Sequence, residues 1–287
     1  MQKKRNIRIY LLVLLPFLLV LFLYEILPLV MMILSSFRSE TDSSILFTLE
    51  NYITAFTRLS YQRAIINSLK ITLISTVIGI VIGFLGAQSA QASHGRLRNI
   101  FLTILNMTSN FAGVPLAFAY MIILGNSGVL ILLAETLGLD FLANFDLYTG
   151  NGLILMYVYF QIPLSTLLLI PAFNGVREEW KEANKLLGGG TINFWTKVGI
   201  PVLTPSILGT MSVLFANALA AYATAYALLM NNYSLLPVNI TGMFTGDMTT
   251  RPHLGAALSV VMMLLMLLAI IINNYITRLT TKWKGRS

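Results

Sequence analysis

The chain has no cysteine among its 287 residues. Disulfides, thiolate metal sites and cysteine nucleophiles are therefore excluded. Charge is scarce as well, with Asp, Glu, Lys and Arg at 10% of the residues. The two histidines, His94 and His253, fall in loops on opposite sides of the membrane in the topology derived below, so they cannot share a metal. There is no GxxxxGK[ST] loop, hence no backbone cradle for nucleotide phosphates. Nor does any Ser/His/Asp arrangement, or any carboxylate pair at catalytic spacing, occur in the apolar segments. No internal repeat is visible, which counts against secondary-carrier folds built from two inverted halves.

Apolar residues are what the chain has in excess: 56% of the whole, with a mean hydropathy of +0.78. A soluble domain of this length cannot hide that much apolar surface. Crossing the hydrocarbon takes about 20 apolar residues per helix, and backbone groups in lipid must be satisfied within the segment. The pattern predicts an all-α membrane protein forming a single transmembrane domain over residues 1–287. Its six spans are expected near 8–35, 64–91, 99–125, 150–174, 200–231 and 254–279. The first run is too long for a signal-peptide core and reads as a retained span. The third is irregular: Gly113 and Pro115 interrupt it and an apolar run continues through Val129–Ala134, consistent with a broken helix.

The net charge is +8. The basic residues flank apolar runs and do not form a stripe, so lipid is the expected surface partner and nucleic acid is not. They also orient the chain. Lys3, Lys4, Arg5, Arg8, Arg96, Arg98, Arg177, Lys181, Lys185, Lys197, Arg278, Lys282, Lys284 and Arg286, 14 of the 19 Lys and Arg, lie on one side of the predicted spans. Arg38, Arg58, Arg63, Lys70 and Arg251 lie on the other. By the positive-inside rule the richer side, with both termini, is cytoplasmic.

One segment breaks the apolar pattern. From Arg177 to Pro201 the chain reads REEWKEANKLLGGGTINFWTKVGIP, polar and charged between two apolar spans. Glu178 with Lys181, and Glu182 with Lys185, stand at i, i+3 and favour a helix. Trp180, Ala183, Leu186 and Leu187 give it an apolar stripe. The Gly188-Gly189-Gly190 run ends it, Thr191 is expected to cap a second short helix through Trp195, and Pro201 suits the first turn of the fifth span. A helix lying passively on lipid is usually basic on its polar face. This one carries both signs, which suits docking on another protein.

The spacing Glu182-Ala183, Gly188, then Val198, Ile200 and Pro201 resembles the cytoplasmic signature of permease subunits of binding-protein-dependent ABC importers: E-A-A, three residues, G, nine residues, I-x-L-P. Asn184, Val198 and Ile200 depart from its Ala, Ile and Leu. Phe215-Ala216-Asn217-Ala218 with Ala221–Ala227, and Asn67-Ser68-Leu69-Lys70, resemble the polyamine and ferric-ion group of these permeases. The resemblance implies the six-span fold of that family, with 175–199 as a cytoplasmic coupling segment between the fourth and fifth spans. It also implies a dimer of separate ATPase subunits holding ATP and Mg, with this chain neither an enzyme nor a cofactor carrier. A second permease subunit, identical or similar, an extracytoplasmic solute-binding protein and a place in the bacterial inner membrane complete the expectation. Glu178, Glu179, Glu182, Ala183, Lys185, Leu186, Gly188 and Pro201 are then the residues of ATPase coupling.

Polar side chains within spans usually face a cavity or a partner helix. Asn217, Tyr222, Thr224 and Tyr226 in the alanine-rich fifth span, together with Glu25 in the first, are the candidates for a translocation path. In a continuous helix Asn217, Ala221 and Thr224 share a face, as do Tyr222 and Tyr226. Asn106, Asn110 and Gln161 are weaker candidates. Two other readings stay open: an ion-coupled secondary carrier using Glu25, and a membrane scaffold that transports nothing.

Overall fold

The computed structural model describes residues 14–42, 44–45, 47–245 and 250–284, with side chains to residue 279. Predicted features on residues 1–13, 246–249 and 285–287, the N-terminal basic cluster and Arg286 among them, lie outside the described residues, as do the side chains of Lys282 and Lys284. The architecture is helical throughout the described residues: α1 Leu14–Ser36, α2 Glu50–Thr57, α3 Leu59–Ala92, α4 Gly95–Ser109, α5 Val114–Leu124, α6 Val129–Leu137, α7 Asp140–Ala143, α8 Gly150–Phe173, α9 Glu178–Leu186, α10 Thr191–Leu219, α11 Ala223–Leu229, α12 Leu236–Thr245 and α13 Pro252–Lys284. Six stretches are long and apolar enough to span a membrane: α1, α3, Val114–Leu137, α8, α10 and Pro252–Leu279.

Two spans differ from their predicted limits. The third was expected at 99–125. Residues 95–109 instead form the separate helix α4, and the spanning stretch is α5 with α6. Gly113, at φ 72°, caps α5, a left-handed conformation that glycine reaches without steric cost. Pro115 occupies the first turn of α5, where its missing N–H is harmless. The fifth span was expected at 200–231. It begins at Thr191, stops at Leu219 and resumes as α11 after a break at 220–222.

The chain divides into two compact units, Met1–Gln62 with Asn239–Met263, and Arg63–Val238 with Leu264–Ser287. Polar clasps organise the first. The Asn51 amide donates to the carbonyls of Ser36 (3.0 Å) and Arg38 (2.8 Å). The Glu40 carboxylate accepts the Leu254 N–H at 2.8 Å, satisfying one of the donors left open at the start of α13. In α1, Pro28 has no N–H to give the turn before it, and the Leu27 N–H reaches back five residues to the Phe22 carbonyl, making a π turn over Phe22–Ile26.

The larger unit is built on α3 and α8. Gly79, Gly83 and Gly86 let the two backbones approach: a Cβ on Gly83 would collide with the Ser165 side chain, and one on Gly86 with Thr166. Close approach at small residues is a main source of helix association in lipid. The Ser165 hydroxyl donates to the Gly79 carbonyl at 2.8 Å, and the Gln161 amide to the Ser75 hydroxyl at 2.9 Å. One apolar cluster joins Leu116, Leu124, Leu153, Met156, Phe160, Ala225 and Leu228; a second joins Ile80, Leu169, Phe173, Leu203 and Leu214.

Candidate functional site

The polar segment folds as a helix, a glycine turn and the first turns of a span. Arg177, in extended conformation, precedes α9, and Glu178 and Glu179 occupy its first turn with Lys185 in the last. That distribution opposes the helix dipole favourably at both ends. Lys181 pairs with Glu178 at 2.6 Å, and the Arg177 guanidinium lies 5.8 Å from the Trp180 ring. The expected Glu182–Lys185 pair is not formed among the described residues; both side chains point out exposed.

Gly188 stands at φ 77° and turns the chain. Its N–H bonds the Lys185 carbonyl at 2.9 Å, and the Gly189 N–H bonds the Asn184 carbonyl at 2.8 Å. Asn184, the departure from the signature, has a visible task. Its amide donates to the carbonyls of Gly189 (2.9 Å) and Gly190 (3.2 Å) and lies so close to Gly189 that a Cβ there would strike it. Asn184 therefore staples the turn, which an alanine could not do. Gly190, not Thr191, is the N-cap of the next helix, and it offers no side-chain cap. The predicted short helix 191–195 continues directly into the fifth span.

That continuation holds a feature the sequence reading missed. Pro201 cannot donate to the turn before it, and the Ile200 N–H bonds the Trp195 carbonyl five residues back, so Trp195–Gly199 is a π turn. The Trp195 ring lies over Gly199, where a Cβ would overlap it. Trp195 stands 5.8 Å from Phe84, 5.9 Å from Phe173 and 5.4 Å from Phe194, and Phe84 stands 5.1 Å from Phe173. This aromatic box fixes the start of α10 against both α3 and α8. The available signal was the pair Phe194-Trp195 inside an otherwise polar segment.

The apolar stripe splits in two. Trp180, Ala183, Asn184 and Leu187 line a shallow groove of about 340 Å³ with Val198 and Val202. Leu186, Leu187 and Ile192 stand 89%, 88% and 81% exposed, a cluster of bare apolar side chains on a charged element. Ala183 and Gly188 are exposed beside them.

The candidates for the path do not stay on one helix face, because of the break at 220–222. Asn217 is exposed on α10 and has no hydrogen-bond partner among the described residues. Tyr222 and Tyr226 stack at 5.2 Å and 22°, the first half-buried and the second exposed. Thr224 is buried, and its hydroxyl accepts the Gly113 N–H at 3.0 Å; it serves as a tie between α11 and the break before α5. Gln161 is fully buried between α3 and α8 and lines nothing. The amides of Asn106 and Asn110 turn back onto helix carbonyls at 2.8 Å. Glu25 sits exposed in the π turn of α1, in the other unit. Sequence reasoning missed Phe111, Tyr120 and Tyr159, which pack edge to face, Phe111 to Tyr159 at 6.4 Å and Tyr120 to Tyr159 at 5.8 Å; Tyr120 and Tyr159 pack on the same apolar cluster as Tyr222.

No family model matches the chain. It is 26% identical over 215 residues to the sulfoquinovosyl glycerol transport system permease protein SmoH of Agrobacterium fabrum, covering 74% of this chain and 69% of that one. It is 24% identical over 265 residues to the spermidine/putrescine transport system permease protein PotB of Escherichia coli, covering 91% and 95%. Among solved structures, a bacterial alginate ABC transporter in complex with an alginate pentasaccharide-bound periplasmic protein superposes with a TM-score of 0.75 at 16% identity, over 97% of this chain and 96% of that one. By sequence relationship and by fold together, the chain is a transmembrane permease of the ABC importer kind.

Proposed function

We propose that α9 and its glycine turn are the surface on which a separate ATP-hydrolysing subunit docks and drives this permease. The observation that carries the reading is the exposure of Leu186, Leu187 and Ile192 on a charged element anchored by Trp195. Full burial of a Leu or Ile side chain is worth about 1.5–3 kcal/mol. Three such side chains supply roughly 5–9 kcal/mol before the costs of association are met. That sum suits a contact reinforced by polar neighbours such as Glu182. The aromatic box gives the docked segment a stiff connection to α3, α8 and α10, so displacement of α9 reaches the spans.

The rest of the proposal follows from that surface. ATP and Mg are held by two copies of the partner ATPase, and this chain supplies no hydrolytic group. The second half of the pore is another copy of this chain or a similar permease. Solute arrives from an extracytoplasmic binding protein, as the alginate transporter's complex with a periplasmic protein illustrates, in the inner membrane of a bacterium, with both termini cytoplasmic. Asn217, Tyr222 and Tyr226 line the path, since an amide and two phenols facing lipid are costly. Transport is alternating access between two global states. The test is association with the ATPase co-expressed with the tagged chain. Leu186→Asp with Leu187→Asp, and separately Glu182→Lys, are expected to release the ATPase while the permease stays folded. Full retention of the ATPase by both variants refutes the assignment of the surface.

A further inference from the structure

The larger unit brings two helix breaks together, 110–113 before α5 and 220–222 before α11. The Gly113 N–H donates to the Thr224 hydroxyl at 3.0 Å, the Tyr157 hydroxyl donates to the Ala221 carbonyl at 2.6 Å, and a Cβ on Gly113 would meet that of Ala223 at 3.6 Å. Irregular backbone at membrane depth is tolerated where it is buried in protein or lines a water-filled cavity. Aromatic rings gather at this junction. Phe111, Tyr159 and Tyr120 form one edge-to-face series, and Tyr222 and Tyr226 form a stacked pair. Tyr120, Tyr159 and Tyr222 pack on the same apolar cluster and stay half-exposed. Asn217 stands one turn before the second break, its carboxamide unpartnered among the described residues.

Charge decides what such a place can hold. The stretches that carry these groups, 99–134, 147–176 and 198–238, contain no Asp, Glu, Lys, Arg or His; α3, whose Ile71 joins the same apolar cluster, carries Lys70 next to it in sequence. A polyamine or a ferric ion would find no carboxylate there to replace its hydration. The attraction of a cation to a ring face is smaller than the penalty for several bare charges at that depth. A sulfate-like anion would find no cation on those stretches. A flat heterocycle needs a gap between parallel rings, and the parallel pair here is closed on itself at 5.2 Å. What the junction offers is ring faces for C–H surfaces, phenol hydroxyls, and a carboxamide that both donates and accepts. A few placed polar groups among aromatic walls are the usual makeup of a small-molecule site.

We propose that this junction is a solute site of the permease and that it takes an uncharged polyhydroxylated solute, a sugar or polyol, in preference to a polycation. The proposal rests on the reading that Asn217, Tyr222 and Tyr226 line the path. The probes are methyl α-D-glucoside, maltose, sorbitol, spermidine and thiamine, each presented to the full chain in nanodiscs and observed by saturation-transfer NMR. At least one sugar or polyol is expected to receive saturation that falls about tenfold, the loss of one ring contact with one hydrogen bond, in Tyr222→Ala. The signal is expected to fall also in Asn217→Leu, to persist in Tyr222→Phe, and to be unchanged in Tyr275→Ala, whose ring is 64% exposed on α13. Circular dichroism confirms that each variant keeps its helices. A stronger Tyr222-dependent signal from spermidine or thiamine, or no Tyr222-dependent signal from any sugar or polyol probe, overturns the proposal. Binding in nanodiscs needs no ATPase, so failure here and failure of the ATPase association test are separable.

Discussion

Trp195→Ala should separate docking from drive. The indole touches Phe84, Phe173 and Phe194 at 5.8, 5.9 and 5.4 Å. Each aromatic pair is worth about 0.5–1.5 kcal/mol beyond burial, and Phe194 lies on α10 itself, so the two pairs with Phe84 and Phe173 amount to roughly 1–3 kcal/mol of attachment between the start of α10 and the helices α3 and α8. Removal of the ring also leaves a void beside Gly199, which packs directly beneath it. The exposed leucines of α9 are untouched by this change. The ATPase should therefore still bind within about threefold of wild type, a shift under 1 kcal/mol. Uptake per ATP hydrolysed should fall by about tenfold or more, because an anchor weakened by more than 1.4 kcal/mol yields before the spans move. The assay is uptake and phosphate release measured on the same proteoliposomes, with Trp195→Phe, which keeps most ring contacts, expected to retain most of the coupling. Wild-type coupling in Trp195→Ala would show that the aromatic box is packing only and that force passes by another route.

Other expectations follow from the same geometry. Gly83→Leu should prevent α3 and α8 from closing and cost about 1–3 kcal/mol or more, seen as early thermal aggregation in detergent, whereas Gly190→Ala, with open space around it, should melt as wild type. Thr224→Val leaves the Gly113 N–H without its acceptor, a loss of about 1–3 kcal/mol; Thr224→Ser should restore the melting temperature that Thr224→Val lowers. A fluorescent-protein fusion at Ser287 should fluoresce and a phosphatase fusion there should be silent; an active phosphatase would place that terminus outside.

Much of the fold was legible because lipid leaves the chain few choices. Long apolar runs had to be helices, and Gly113 with Pro115 announced the break before α5. The break at 220–222 gave no such sign. Ala220-Ala221-Tyr222-Ala223 contains neither glycine nor proline, and alanine favours helix. The contacts that accompany this break are tertiary, the Tyr157 hydroxyl on the Ala221 carbonyl and the Gly113 N–H on Thr224, and neither partner is near in sequence. The polar segment around α9 shows the same division. Gly188 and the charge order of α9 were readable locally. The staple made by Asn184 was not, since a mismatch to the signature said only that alanine was missing. The π turn at Trp195–Gly199 needed the structure too, although Pro201 marked the place where an ordinary helical bond had to fail. Thr224 and Gln161 were chosen as polar groups inside spans, and burial between helices, which no linear pattern reports, gave them packing roles instead.

On the proposed function, ATP drives this permease through α9. The most direct measurement is uptake into proteoliposomes that contain the chain with its co-purified ATPase and solute-binding protein, with ATP or an ion gradient supplied in turn. Uptake is expected only with ATP inside, abolished in the variant carrying both Leu186→Asp and Leu187→Asp and insensitive to ionophores. Uptake driven by an ion gradient without ATP, and lost in Glu25→Gln, would contradict it and favour an ion-coupled carrier.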